Sequence, residues 1–124
     1  MTSIVRRKAL AAALALFGIA GAGGSASAQE AYPSKPIRVV VPYTPGGVSD
    51  AVTRLVMQKL ADRLKATVVV DNQGGANGQI GSAAVARAAP DGYTLLVVVA
   101  AHAINPSLYP RMSYSPLQDL RGVS

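Results

Sequence analysis

Apolar residues change their period along this chain, and each change marks an element. The run Ile37-Arg-Val-Val-Val41 is β-branched and apolar nearly throughout, the pattern of a parallel strand buried on both faces. Val52, Leu55, Val56, Leu60 and Leu64 then recur at helical spacing. Arg54, Lys59, Asp62 and Arg63 fall largely outside that stripe, which predicts an amphipathic helix. Thr67 to Val70 reads as a second strand, and Ile80 to Ala89 as a second helix stopped by Pro90. Tyr93 to Val99 reads as a third strand, reached through the turn Asp91-Gly92. The order βαβαβ predicts an α/β fold with a parallel sheet, right-handed crossovers and helices on both faces. Beyond Val99 the pattern loosens. Asn105-Pro106 opens a short helical turn through Leu108, Tyr109-Pro110 closes it, and Ser115-Pro116 begins another. The sequence reaches Ser124 where a fourth strand is expected, so residues 29–124 read as the first part of one α/β lobe, cut before its completion.

Residues 1–28 follow a different logic. Arg6, Arg7 and Lys8 form a basic start, Ala9 to Ala20 a short apolar core, and Ala26-Ser27-Ala28 a small-x-small cleavage site. That core is well short of the roughly 20 residues needed to cross a bilayer, so the segment reads as a signal peptide cleaved near Ala28. Its removal changes the charge. The whole sequence carries a formal +6; without Arg6, Arg7 and Lys8, nine basic and six acidic residues remain. The basic residues are scattered and little interleaved with aromatics, which argues against nucleic acid, while a mild positive excess suits an anionic ligand. The absence of cysteine excludes a disulfide framework and thiolate metal sites. A lone His102 cannot build a zinc site, and no cofactor is implied.

An open α/β sheet places its ligand crevice at the carboxyl ends of its strands. Three loops leave those ends: Pro42 to Asp50, Asp71 to Gly81, and Ala100 to Asn105. In the first, Gly46-Gly47 precedes a helix start whose unpaired N–H groups and dipole can hold an anion, and Tyr43 and Ser49 carry hydroxyls. The same residues also describe a tight strand-to-helix turn with Ser49 or Asp50 as its N-cap. In the second, Gly75, Gly78 and Gly81 fit G-x-x-G-x-x-G, a spacing found in dinucleotide-binding enzymes. Its context differs, because a strand and a helix precede it and no acidic residue closes the next strand. In the third, His102 reads either as a structural hydrogen-bonding group or as a base, with no nucleophile or acidic partner evident in the sequence.

Taken together, the loops resemble the Bug family of periplasmic solute receptors, the binding component of tripartite tricarboxylate transporters. The resemblance is carried by Tyr32-Pro-Ser-Lys-Pro-Ile37, Pro42-Tyr-Thr-Pro-Gly-Gly-Val-Ser-Asp50, Asp71-Asn-Gln-Gly-Gly-Ala-Asn-Gly-Gln-Ile-Gly81, Ala88-Ala-Pro-Asp-Gly-Tyr-Thr-Leu95 and His102-Ala-Ile-Asn-Pro-Ser-Leu-Tyr109, in that order. It departs at Ala100-Ala101, where the family often has a hydroxyl residue, and at Gly74 and Gly122, where it usually has proline. The resemblance implies part of the first lobe of a two-lobed Venus-flytrap receptor. It also implies a periplasmic location, a small carboxylate solute, delivery to membrane transporter subunits, and no catalysis. Carried onto this sequence, the implied ligand residues are Tyr43, Pro45, Gly46, Gly47, Val48, Ser49, Asp50, Ala101 and His102. Two other readings stay open: a nucleotide-binding enzyme domain built on Gly75, Gly78 and Gly81, and a small interaction module of the envelope.

Overall fold

The computed structural model describes residues 31–123; the signal peptide read in residues 1–28 lies outside them. Strand β1 (Ile37–Val41) is central, with β2 (Val68–Asn72) and β3 (Thr94–Leu96) parallel on either side, in the order β2-β1-β3. Ile37 sits opposite Val68 and Val41 opposite Asn72, while Arg38 to Val40 face Thr94 to Leu96. The apolar run of β1 forms the core: Ile37, Val39, Val40 and Val41 are buried, joined by Ala83, Val85 and Tyr114. Helices α1 (Val48–Leu64) and α2 (Gln79–Ala86) connect the strands, and a 3-10 turn (Ala76–Gly78) precedes α2. Helix α3 (Ala100–Leu108) follows β3. Among the described residues, no helix is long and apolar enough to cross a membrane.

Several expectations are corrected. The second strand runs on through Asp71 and Asn72, because both pair with the end of β1. The third strand is shorter than the apolar run that suggested it. Arg38 N–H donates to the Tyr93 carbonyl and Val97 N–H to the Val40 carbonyl. The next donor that β1 would offer on this side is at Pro42, which has no N–H, so the ladder stops after the Val97 N–H and Val98 and Val99 continue outside it. The segment Ala100 to Asn105 is helical rather than a loop, and the helix continues through Pro106 instead of starting there. Pro106 falls in the last turn, where Tyr109 N–H still closes on the Asn105 carbonyl.

The stripe Val52, Leu55, Val56, Leu60 and Leu64 is not the face that α1 turns to the sheet. Val52, Leu55 and Val56 are more than half exposed, and the buried residues of the helix are Asp50 and Thr53. Polar bonds at the N-terminus fix the rotation. Asp50 is tied to the preceding loop and to β2, and Thr53 Oγ1 donates to the Ser49 carbonyl at 2.6 Å. The line facing the sheet therefore runs through Asp50, Thr53, Met57 and Leu60, sharing only Leu60 with the apolar stripe.

Candidate functional site

The first loop is held from within. Its N-cap is Gly47, not Ser49 or Asp50, and the cap has extended backbone with no side-chain hydrogen bond. Asp50, in the first turn, reaches back instead: the Gly46 N–H donates to its carboxylate at 2.9 Å. Gly46 has φ +80, a left-handed conformation that glycine adopts without strain. Asn72, at the end of β2, donates to Asp50 at 3.0 Å and to the Tyr43 carbonyl at 3.2 Å. Arg54 completes the brace, with its Nε 2.9 Å from Asp50 and its Nη2 donating to Asn72 Oδ1 at 2.9 Å. Asp50 is 4% exposed and its carboxylate is fully engaged. What the loop leaves open is backbone: the amides of Gly47, Val48 and Ser49 have no acceptor among the described residues. They stand at the positive end of a 17-residue helix.

These bonds hold Asp50 ionised. Arg54 chiefly, then the Gly46 amide, lower its pKa to about 2. A carboxylate depressed in the folded state stabilises the fold above its ordinary pKa, and that contribution is lost as pH falls through the depressed value. Melting temperature is therefore expected to fall as pH drops from about 4 toward 2. An Asp50→Asn variant should show a shallower fall over the same range. Equal slopes in the two proteins would remove Asp50 from the acid response. Asp91, depressed by Lys35, accounts for part of the slope that remains.

The second loop meets the first through its glycines. Gly75 (φ +131) and Gly78 (φ +84) occupy conformations that side chains rarely adopt, and a Cβ on Gly78 would lie 3.2 Å from the Tyr43 hydroxyl. Gly81 packs α2 directly on the first loop: a Cβ there would be 2.8 Å from the Gln73 carbonyl oxygen and 2.9 Å from Pro42. All three glycines of the G-x-x-G-x-x-G spacing thus have a backbone or packing role.

The third element is fastened to the second. Asn77 Nδ2 donates to Asn105 Oδ1 at 2.8 Å, and Asn105 Nδ2 returns a bond to the Asn77 carbonyl at 3.0 Å. Asn105 is 1% exposed, so both ends of its amide are satisfied in a buried setting. This clasp sets α3, and with it His102, beside the first loop. Tyr43, Asn77, Gly78, Ser82, Val99 and His102 line one shallow depression. Burial lowers the His102 pKa and raises that of Tyr43, so at neutral pH the depression presents an uncharged imidazole and an uncharged phenol.

Of the nine residues expected to form the site, Tyr43 and His102 are brought together in the depression. Pro45, Gly46, Gly47 and Val48 lie exposed on the loop that follows Tyr43, with Ser49 half-buried behind them. Ala101 is half-buried in the first turn of α3, and Asp50 is withdrawn into the brace. The sequence reading missed Asn72, Asn77 and Asn105, whose partners lie 18 to 29 residues away and leave no local pattern. Among the described residues, no group of acidic, histidine or cysteine side chains could hold a metal.

Comparison with known proteins adds lineage to this geometry. Residues 52–124 match the family model described as tripartite tricarboxylate transporter family receptor. A UPF0065 protein in the TAR-I ttuE-ttuC' intergenic region of Agrobacterium vitis is 46% identical over 98 residues, covering 79% of this chain and 28% of that protein. Protein BugT of Bordetella pertussis is 43% identical over 117 residues, covering 90% and 36%. Among solved structures, the periplasmic binding protein BugD superposes with a TM-score of 0.68 at 44% identity, over 71% of this chain and 29% of that one. MatC from Rhodopseudomonas palustris, with bound malate, superposes with a TM-score of 0.67 at 37% identity, over 71% and 30%. The chain thus spans about a third of the length of the relatives it matches.

Proposed function

Because the chain belongs to the tripartite tricarboxylate transporter receptor family, we propose that it captures a small carboxylate-bearing solute in the periplasm for delivery to membrane transporter subunits. The observation that carries this reading is the row of unengaged amides, Gly47, Val48 and Ser49, at the N-terminus of α1 beside Tyr43 and His102. Such amides form charge-assisted hydrogen bonds with a carboxylate without a cationic side chain. Pro45 and Gly46 shape the approach, Asp50 holds the loop to β2, and Ala101 and His102 supply the facing edge. The malate bound by MatC makes a dicarboxylate the ligand class of choice. Capture and release require no bond to be made or broken, and the packing roles of Gly75, Gly78 and Gly81 weigh against a nucleotide enzyme. Export of the chain, with cleavage near Ala28, belongs to the same reading and rests on residues 1–28.

Gly47→Val tests the loop. Gly47 has φ −77, open to any residue, and a Cβ there meets only the Thr44 carbonyl oxygen at 3.6 Å, so the variant should fold. Its branched side chain would stand where the solute approaches the amides. Calorimetric titration with malate should show affinity lower by about tenfold or more, the loss of one charge-assisted bond, with little change in melting temperature. Unchanged affinity in a folded variant would exclude the loop from binding.

A further inference from the structure

The sequence holds a single histidine, and the fold sets it in the wall of the depression. One face of the His102 ring lies toward the buried ring of Tyr114, with centroids 6.2 Å apart and planes inclined by 27°. The clasp of Asn105 to Asn77, one turn further along α3, fixes the helix that carries it. What surrounds the imidazole is uncharged. The first loop brings Tyr43 to the depression, α2 brings Ser82, the 3-10 turn Asn77 and Gly78, and the stretch after β3 Val99. Tyr114 comes from beyond α3, and α3 itself has no second titratable side chain. Phenols carry no charge in the acid to neutral range, so none of these groups can pair with an imidazolium. Asp50, the carboxylate behind the first loop, is already given to Arg54, Asn72 and Gly46. His102 enters no ion pair among the described residues, and burial without a compensating charge favours its neutral form.

We infer that His102 couples solute capture to protonation: a carboxylate entering the depression is the first negative charge the imidazole meets, so the complex takes up a proton that the free receptor does not hold. The proton comes from solvent and adds to the ring nitrogen left bare in the neutral imidazole, and no bond of the solute changes. Linkage then gives the sign. A basic group that is held more protonated in the complex makes affinity rise as pH falls from its bound titration midpoint toward its free one. The inference rests on the receptor reading and adds to it a regulation of the same site, with tighter capture on the acid side and release as pH rises.

The test uses the full chain and malate. Calorimetric titrations between pH 8 and pH 6, above the range in which free carboxylates take up protons, should show affinity rising by about 5- to 10-fold. Binding heats measured at one pH in phosphate and in Tris should differ, because the proton taken up is drawn from the buffer. His102→Gln should abolish both the pH slope and the buffer dependence, whatever affinity it keeps. Proton NMR of the one imidazole needs no variant: saturating malate should move its titration midpoint to higher pH. An imidazole that titrates identically with and without bound malate would overturn the inference and leave the receptor reading standing. So would a pH slope that persists unchanged in a folded His102→Gln chain. Failure of malate and other C4 to C6 dicarboxylates to bind at any pH would defeat the receptor reading itself, and the inference with it.

Discussion

A Gly81→Val chain is expected to lose about 3 kcal/mol of stability, the upper part of the range for overpacking a tight contact. The reason is the closeness of α2 to the first loop. A Cβ at Gly81 falls 2.8 Å from the Gln73 carbonyl oxygen, 2.9 Å from Pro42 Cβ and 3.0 Å from Pro42 Cα. The first and last of these are backbone atoms, and proline has no rotamer to swing aside, so the helix must move as a body. Moving it lifts Ser82, Ala83 and Val85 off the core and draws Gly78 away from Tyr43. Urea unfolding measures the effect, with Gly122→Val as control, since a Cβ there meets nothing within 4 Å and should change stability by no more than about 0.5 kcal/mol. Equal midpoints in the two variants would show that α2 yields freely, and the packing account of the third glycine would fail.

Asn105→Ala should be nearly as damaging, at about 2 kcal/mol. It removes both bonds of the clasp and leaves the Asn77 amide and carbonyl without the partners they have at 2.8 and 3.0 Å. It also opens space where a side chain 1% exposed had been packed. The loss should reach function, because the clasp is what fastens α3 to the second loop and so sets His102 against Tyr43. Malate affinity should therefore fall along with the unfolding midpoint. A variant as stable as the parent would mean that α3 is held by packing alone.

Much of the fold follows from short-range pattern. The β-branched run at Ile37–Val41 and the helical spacing after it have one plausible outcome each, and Tyr43 and His102, from two of the strand-end segments, line one depression. The readings that failed did so where a distant polar group overrode a local signal. Apolar periodicity placed the wrong face of α1 toward the sheet, because the rotation is set by Asp50 bonding to Gly46 and to Asn72 on another strand. The apolar run through Val99 promised a long third strand, but its length is decided by a missing N–H on its neighbour at Pro42. Pro106 looked like a helix start because proline favours that position. Here it sits late in a helix whose preceding residue, Asn105, is tied to Asn77. Asn72, Pro42 and Asn77 are each remote in sequence from the element they decide, so window-based reading had nothing to detect there.

The receptor reading rests on the amides at the start of α1, and an amide proton–nitrogen NMR titration of the full chain with malate observes them one by one. Saturable shifts should centre on Gly47, Val48 and Ser49, with smaller ones at Ala101 and His102. Gly46, whose N–H is already given to Asp50, should move least within the loop. If those amides stay in place while malate is raised to millimolar concentration, or if the shifts gather on another face of the molecule, the first glycine loop is not the anion site.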